Sequence, residues 1–323
     1  MLVAKYALRR ILAAVLVLVM MSFVAFMLIN IAPGNALLAQ IAGSGAIGGT
    51  LDADVLKLFE QELGLDKPIL ERYANWLFNA VQGDLGRSFV NDQSVLDRIG
   101  ERLPTSIELV VIASIVSFAI AVPIGVISAA RQGGVWDYAS RTFAILGLAI
   151  PNFFLAIIVL IIFSRWLDIS LSTMAKPDLW KDPIQNLQGV IVPALIVGFT
   201  LIATVMRMAR SATLEVLNED YVRTARAKGL VERVVISRHV VRNALIPVIT
   251  IFGNQFAFIL GGTVIVEQIF RVPGIGFLAL DSIQKRDYPL VMGVTLVLGF
   301  VVVTTNLLVD LSYGAIDPRI RYS

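Results

Sequence analysis

Cysteine is absent from the 323 residues and histidine occurs once. The first absence excludes disulfides, thiolate metal sites and a cysteine nucleophile. The second excludes any multi-histidine metal cluster. Charge is scarce too: 16% of residues are Asp, Glu, Lys or Arg, against about 25% in a soluble domain. The formal net charge of +3 gives no argument for a nucleic-acid partner. Apolar residues take the vacant share, at 57% of the chain with a mean hydropathy of +0.79. Length alone suggests about two soluble domains, but this composition points to a lipid bilayer instead.

Six stretches contain no Asp, Glu, Lys or Arg: 11–31, 109–130, 142–164, 189–206, 243–266 and 288–309. A helix needs roughly 20 residues to cross the hydrocarbon core, and a charge at its centre costs about 2.5–3.5 kcal/mol. Buried core helices of a soluble protein are the competing reading, and six charge-free runs argue against it. Lys5, Arg9 and Arg10 precede the first run as in a signal peptide, but the run exceeds a typical h-region and no A-x-A site follows closely. The sequence therefore predicts an all-α polytopic membrane protein with six transmembrane helices.

An even number of spans puts both termini on one side. With the termini inside, residues 1–10, 131–141, 207–242 and 310–323 carry 15 of the 27 Lys and Arg although they are the shorter share of the connections. Seven acidic residues lie there and sixteen outside, with Glu108 in a span. The basic excess marks the cytoplasmic side, so the N- and C-termini are expected to be cytoplasmic. Residues 1–31 read as the N-terminal tail and first span, 32–103 as an extracytoplasmic helical segment, and 104–323 as a five-helix core.

Within the outer segment, Val55, Phe59 and Leu63 form one helical stripe, and Ile69, Tyr73, Trp76, Leu77 and Ala80 form another that stops at Gly83. Gly43, Gly45, Gly48 and Gly49 read as a flexible connector. Val95, Ile99 and Leu103 suggest a further surface turn, and Thr105-Ser106-Ile107-Glu108 has capping-box spacing. That spacing favours a cap over a proton relay at Glu108. Pro123, Pro151, Pro193 and Pro247 lie inside spans, where proline kinks a helix. Polar residues accompany them, including Asn152, Thr200, Asn254 and Gln255. Interhelical hydrogen bonds and a lined pathway are the two readings; Asn152, Asn254 and Gln255 are the pathway candidates.

The segment 207–242 is the most informative. Asp220 reads as an N-cap and Gly229 as a C′ residue, enclosing about two helical turns, too short to be stable alone. Val222, Ala225 and Gly229 share a face of little bulk, while Arg223, Arg226 and Lys228 charge the flanks. A docking helix and an ordinary basic inner loop both fit this pattern.

Asp220-Tyr221-Val222-Arg223-Thr224-Ala225-Arg226-Ala227-Lys228-Gly229-Leu230 closely resembles the EAA-type coupling loop of binding-protein-dependent ABC importers. The chain looks like a B-type permease subunit of the dipeptide/oligopeptide/nickel family. The resemblance runs nearly end to end: Ala32-Pro33-Gly34, Leu63-Gly64-Leu65-Asp66, Gly83-Asp84-Leu85-Gly86-Arg87-Ser88, Arg102-Leu103-Pro104-Thr105, Pro273-Gly274-Ile275-Gly276, Arg286-Asp287-Tyr288-Pro289 and Asp317-Pro318-Arg319-Ile320-Arg321. Arg223 and Thr224 replace the Glu and Ala of the wider superfamily, and Arg242 stands at its downstream Pro position. Both departures are usual in the peptide-permease branch.

The resemblance implies a type I ABC importer permease architecture in a bacterial or archaeal cytoplasmic membrane. It implies a second homologous permease subunit, two cytoplasmic ATPase subunits that bind ATP and Mg, and an extracytoplasmic solute-binding protein. No cofactor is then expected on this chain. No Lys is followed by Ser or Thr, so a P-loop is absent and the chain is not expected to be an enzyme. Residues 220–229 would couple to the ATPases, with Asp220 as cap, Ala225 and Gly229 as contact surface, and Arg223 and Arg226 as polar anchors. The segment around Phe270, Pro273, Gly274, Ile275 and Gly276 reads as an outer gate, a binding-protein contact or a plain loop. Di- or oligopeptide is the expected solute on family frequency, with nickel chelate, glutathione and oligosaccharide as alternatives. The rivals from other classes are an ion-gradient-driven transporter and a membrane anchor for a signalling complex.

Overall fold

The computed structural model describes residues 2–31, 67–169, 171 and 179–316. The stripe at Val55, Phe59 and Leu63, the glycine connector and the motifs at 32–34, 63–66 and 317–321 lie outside the described residues. The regular elements are helices: α1 Leu2–Ile31, α2 Ile69–Val81, α3 Val95–Ala130, α4 Val135–Ala149, α5 Asn152–Trp166, α6 Pro183–Leu217, α7 Asp220–Ala227, α8 Val241–Phe270, α9 Ile275–Gln284 and α10 Tyr288–Ile316. Glu232–Val234 is a single turn that runs through a π-helical segment, Val235–Val240, into α8. By length and composition five helices can cross a membrane, and two broken pairs bring the candidates to seven.

The chain divides into two compact units, one formed by residues 1–104 with 274–304 and the other by 105–273 with 305–323. In the first, α2 forms where the sequence predicts it, because Tyr73 and its neighbours on one face find an apolar partner. The Tyr73 ring meets Phe23 and Phe26 edge-on at 5.1 and 5.5 Å. Its hydroxyl donates to the Val19 carbonyl at 2.9 Å and lies 2.9 Å from the Ser22 hydroxyl. Gly83, at φ +88°, turns the chain out of the helix. The following loop is tied down by Asp287, whose carboxylate accepts from Ser88 Oγ at 2.5 Å and Phe89 N at 3.1 Å. Two motifs that carry the family resemblance, 83–88 and 286–289, are therefore neighbours. Leu85, Val95, Ile99, Ile275, Leu278, Leu290 and Val294 make the core of this unit.

Two expectations fail here. Val95, Ile99 and Leu103 are no surface turn: they begin the 36-residue helix α3, and Val95 and Ile99 are buried. Thr105–Glu108 is consequently interior helix and caps nothing. The cap lies eleven residues earlier, where Ser94 Oγ accepts from Asp97 N at 3.4 Å.

In the second unit α6 is the central element, and α8 packs most extensively against it. Its buried face is Val190, Ala194, Val197, Leu201, Val205 and Ala209, a 3.6-residue periodicity. Small residues let its neighbours close in. A Cβ added at Gly125 of α3 would sit 2.7 Å from both Ala209 Cβ and the Met206 carbonyl oxygen, and one at Gly147 of α4 would sit 2.7 Å from Ala203 Cβ. Such backbone proximity is the usual way helices associate in lipid.

The stretch 142–164, expected as one proline-kinked span, falls on two 15-residue helices bent by 102°. Each is about 22 Å long, short of the roughly 30 Å core. Pro151 pushes Ile150 into an extended conformation, φ −86° and ψ 119°, as a residue before proline prefers. Pro193 and Pro247, by contrast, lie inside continuous helices.

Candidate coupling site

Helix α6 ends at Leu217, where Asn218 donates its side-chain amide to the Leu214 carbonyl at 2.9 Å. The chain then turns directly into α7. Glu219 occupies the N-cap position, in extended conformation and without a side-chain capping bond. Asp220 is therefore the first helical residue, which corrects its expected role as cap. It lies 3.6 Å from Arg223 in a pair exposed on both sides, and such a pair contributes little. A carboxylate in the first turn still opposes the partial positive charge of the helix start.

The C-terminus follows the sequence expectation. Gly229 sits at φ +78°, its N–H donates to the Arg226 carbonyl at 2.9 Å, and Leu230 N–H donates to the Ala225 carbonyl at 3.4 Å. Those two bonds are the paired closures of a Schellman motif. Arg226 then closes the loop beyond it: Nε and Nη2 donate to Glu232 Oε2 and Oε1 at 3.1 and 2.7 Å. Hydrogen bonding to that carboxylate raises the Arg226 pKa, so the guanidinium is charged throughout the physiological range. Thr224 Oγ1 donates to the Asp220 carbonyl at 2.9 Å, within the helix.

Inside this bracket Val222 and Ala225 are buried against Val235 and Val240, with Val216 and Leu217 packed alongside. This corrects the assignment of Ala225 as a docking surface. The smooth face lets α7 approach its own chain, at the end of α6 and along the π-helical segment. Outside lie Asp220, Tyr221, Arg223, Thr224, Arg226, Ala227, Lys228 and Gly229. Tyr221 accepts from Asn243 Nδ2 at 2.8 Å, and the same amide donates to the His239 carbonyl at 3.1 Å. One short helix is thus tied to the end of one span and to the start of the next.

A second polar cluster holds the C-terminal end of α6, and sequence reasoning missed it. Asp137, buried in the first turn of α4, accepts from Arg210 Nε at 2.6 Å and Nη2 at 3.0 Å. It also accepts from Ser128 Oγ at 2.8 Å and Gly133 N at 3.0 Å. Ser140 donates to Ser128 at 2.7 Å. A buried carboxylate needs such partners, and together they fasten the ends of α3, α4 and α6 to one another. The available signal was an Asp amid basic residues in the 131–141 loop.

Of the pathway candidates, Asn152 accepts from Thr200 Oγ1 at 2.9 Å, bridging α5 and α6 just past the bend. Asn254 is exposed on α8 and Gln255 is half-buried. Of the outer candidates, Phe270 ends α8 fully buried, and Arg271 follows exposed at φ +53°. Pro273 is half-buried; Gly274 precedes α9, whose Ile275 and Gly276 are buried. Ser106 Oγ donates to the buried Glu267 carboxylate at 2.7 Å. No cluster of three or more His, Cys, Asp or Glu suited to a metal occurs among the described residues.

Residues 121–322 match the family described as binding-protein-dependent transport system inner membrane component, and residues 3–110 match its N-terminal membrane component. The chain is 39% identical over 315 residues to the "Putative peptide transport system permease protein" of Brucella abortus (strain 2308), covering 98% of each chain. It is equally similar to the protein of that name from Brucella melitensis biotype 1. Against the glutathione transport system permease protein GsiC of Escherichia coli (strain K12), identity is 36% over 318 residues, 98% of this chain and 99% of the other.

Proposed function

Because the chain belongs to the binding-protein-dependent inner membrane permeases of ABC importers, we propose that it forms half of a peptide-translocating pore and is driven through α7. The proposed complement is a second homologous permease, two ATPase subunits that bind ATP and Mg, and an extracytoplasmic solute-binding protein. The supporting observation is the division of α7 into two faces. Val222 and Ala225 are sunk into this chain, while Arg223, Thr224, Ala227 and Lys228 are exposed. A helix seized on that outer face passes its displacement to α6 and α8 as one body, the rigid-body route to alternating access.

Arg223→Glu/Lys228→Glu reverses charge on the exposed face and leaves the buried face and the Arg226–Glu232 closure intact. In the reconstituted assembly we expect normal insertion and binding-protein docking, with ligand-stimulated ATP hydrolysis lowered about tenfold or more. Unchanged stimulation would refute the assignment. Uptake is expected to stop when ATP is depleted under an intact proton gradient, which separates this reading from an ion-driven transporter.

The solute we assign is a short peptide. Relatives named for peptide and for glutathione, itself a tripeptide, support that assignment. Asn254, exposed on α8, is assigned to the pathway with Gln255, and Asn152 to holding the α5–α6 contact. Arg271 replaces the buried Ile275 as the outer contact. With cysteine introduced singly at 254 and 271, we expect 254 to react with a small hydrophilic thiol reagent only during turnover and 271 to crosslink to the docked binding protein. An Asn254→Cys variant inert to the reagent under turnover argues for packing alone.

A further inference from the structure

A groove of about 270 Å3 lies between α4 and α6, bordered by Arg141 and Arg207 at its rim and by Ala144, Ile145, Leu148 and Met206 deeper down. The sequence fixes its depth in the bilayer. Arg141 immediately precedes the charge-free run 142–164, and Arg207 immediately follows the run 189–206. With the termini inside, α4 starts and α6 ends on the cytoplasmic side, so these two boundary residues are expected at the level of the inner headgroups. Further in, the groove closes where Gly147 meets Ala203 and where the Phe143 and Phe199 rings cross edge-on at 5.3 Å.

The charge at the rim is left over from the fold. Arg210, which also borders the groove, is neutralised by Asp137. Arg141 and Arg207 are both exposed, and among the described residues neither has an ion-pair partner. The Arg141 guanidinium lies 6.0 Å from the Tyr138 ring centroid. That cation–π contact leaves its N–H groups available for an anion. Below the rim, Ile145 and Leu148 are exposed, an apolar surface continuous with the pair of cations. Cations above and hydrocarbon below match one molecule end to end, an acidic phospholipid.

We propose that this groove binds an anionic glycerophospholipid of the cytoplasmic leaflet, its phosphate between Arg141 and Arg207 and its acyl chains over Ile145 and Leu148. The site borders the Asp137–Arg210 fastening, so an occupied groove splints the cytoplasmic ends of α4 and α6. The proposal requires only the membrane orientation and holds whichever solute is carried.

The test is native mass spectrometry of the purified full assembly, titrated with phosphatidylglycerol and with phosphatidylcholine of the same chains. One phosphatidylglycerol is expected to weaken about thirtyfold in Arg141→Gln/Arg207→Gln, at roughly 1 kcal/mol per cation. Phosphatidylcholine binding is unchanged, and Arg141→Lys/Arg207→Lys retains most of the affinity. Leu148→Trp, which fills the groove and keeps both arginines, is expected to lower retention as well; it decides the matter if the glutamine variant does not assemble. The absence of native cysteine allows a further readout, in which Ile145→Cys reacts with a bilayer-partitioning maleimide. Wild-type phosphatidylglycerol affinity in the glutamine variant overturns the proposal. Displacement of the lipid by millimolar inorganic phosphate, which marks a free-anion site, also overturns it. So does an Ile145→Cys that is shielded in the assembly, which marks a protein contact.

Discussion

Gly125 and Gly100 both lie in α3, and a methyl group added to each has opposite consequences. At Gly125 the new Cβ meets the Met206 carbonyl oxygen and Ala209 Cβ at 2.7 Å, so backbone must move; at Gly100 nothing lies within 4 Å. We expect Gly125→Ala to destabilise by about 1–3 kcal/mol, as overpacking does. Gly100→Ala is expected to be neutral or to stabilise by up to about 1 kcal/mol through helix propensity. Thermal denaturation of the detergent-solubilised protein measures both, and equal midpoints would show that the α3–α6 seam has slack. Neither outcome is legible in the sequence, where both are glycines in a helical pattern. The Asp137 cluster was hidden for the same reason: its partners, Arg210 and Ser128, stand 73 and 9 positions away, and only the crossing of three helices makes them neighbours.

Helix α7 shows what local chemistry can and cannot specify. Its end was legible, since Gly229 supplies a left-handed residue that other side chains adopt at a cost of about 1–2 kcal/mol. We expect Gly229→Ala to loosen the last turn and Gly229→Asn to restore it in part. Amide exchange at residues 225–230 measures this, with faster exchange in the alanine variant and intermediate rates in the asparagine one. Its start is not legible to the residue, because Asp220 has the chemistry of a cap while Glu219 holds the position. The small face was legible as a face, but its owner was not: no single-chain pattern says whether Val222 and Ala225 pack on a partner or on their own chain. Proline gives the same lesson. Pro151 breaks its helix while Pro193 and Pro247 do not, and nothing in the local sequence separates the three.

Across the whole molecule, five of the six charge-free runs fall on helices long and apolar enough to cross a membrane, because lipid excludes charge, and the sixth falls on the bent pair α4 and α5. They located helix ends poorly: α3 begins fourteen residues before its run, and α6 extends eleven beyond its own. The termini-inside orientation rests on Lys and Arg placement alone and is directly testable in a chain without cysteine. Trp180→Cys, at a highly exposed outer position, is expected to react with an impermeant maleimide in intact spheroplasts. Lys228→Cys is expected to react only after the membrane is opened. The reverse pattern would invert the molecule and remove α7 from any cytoplasmic motor.

The glycine seam has a mechanical corollary. With Gly125 and Gly147 pressed against it from two sides, α6 has no clearance for sliding lengthwise past α3 or α4 within the bilayer. A stroke arriving at α7 cannot be dissipated as axial slip there. It must tilt the three helices as a single plank, and the joint that can yield is the elbow at Ile150–Pro151, just beyond the plank's edge.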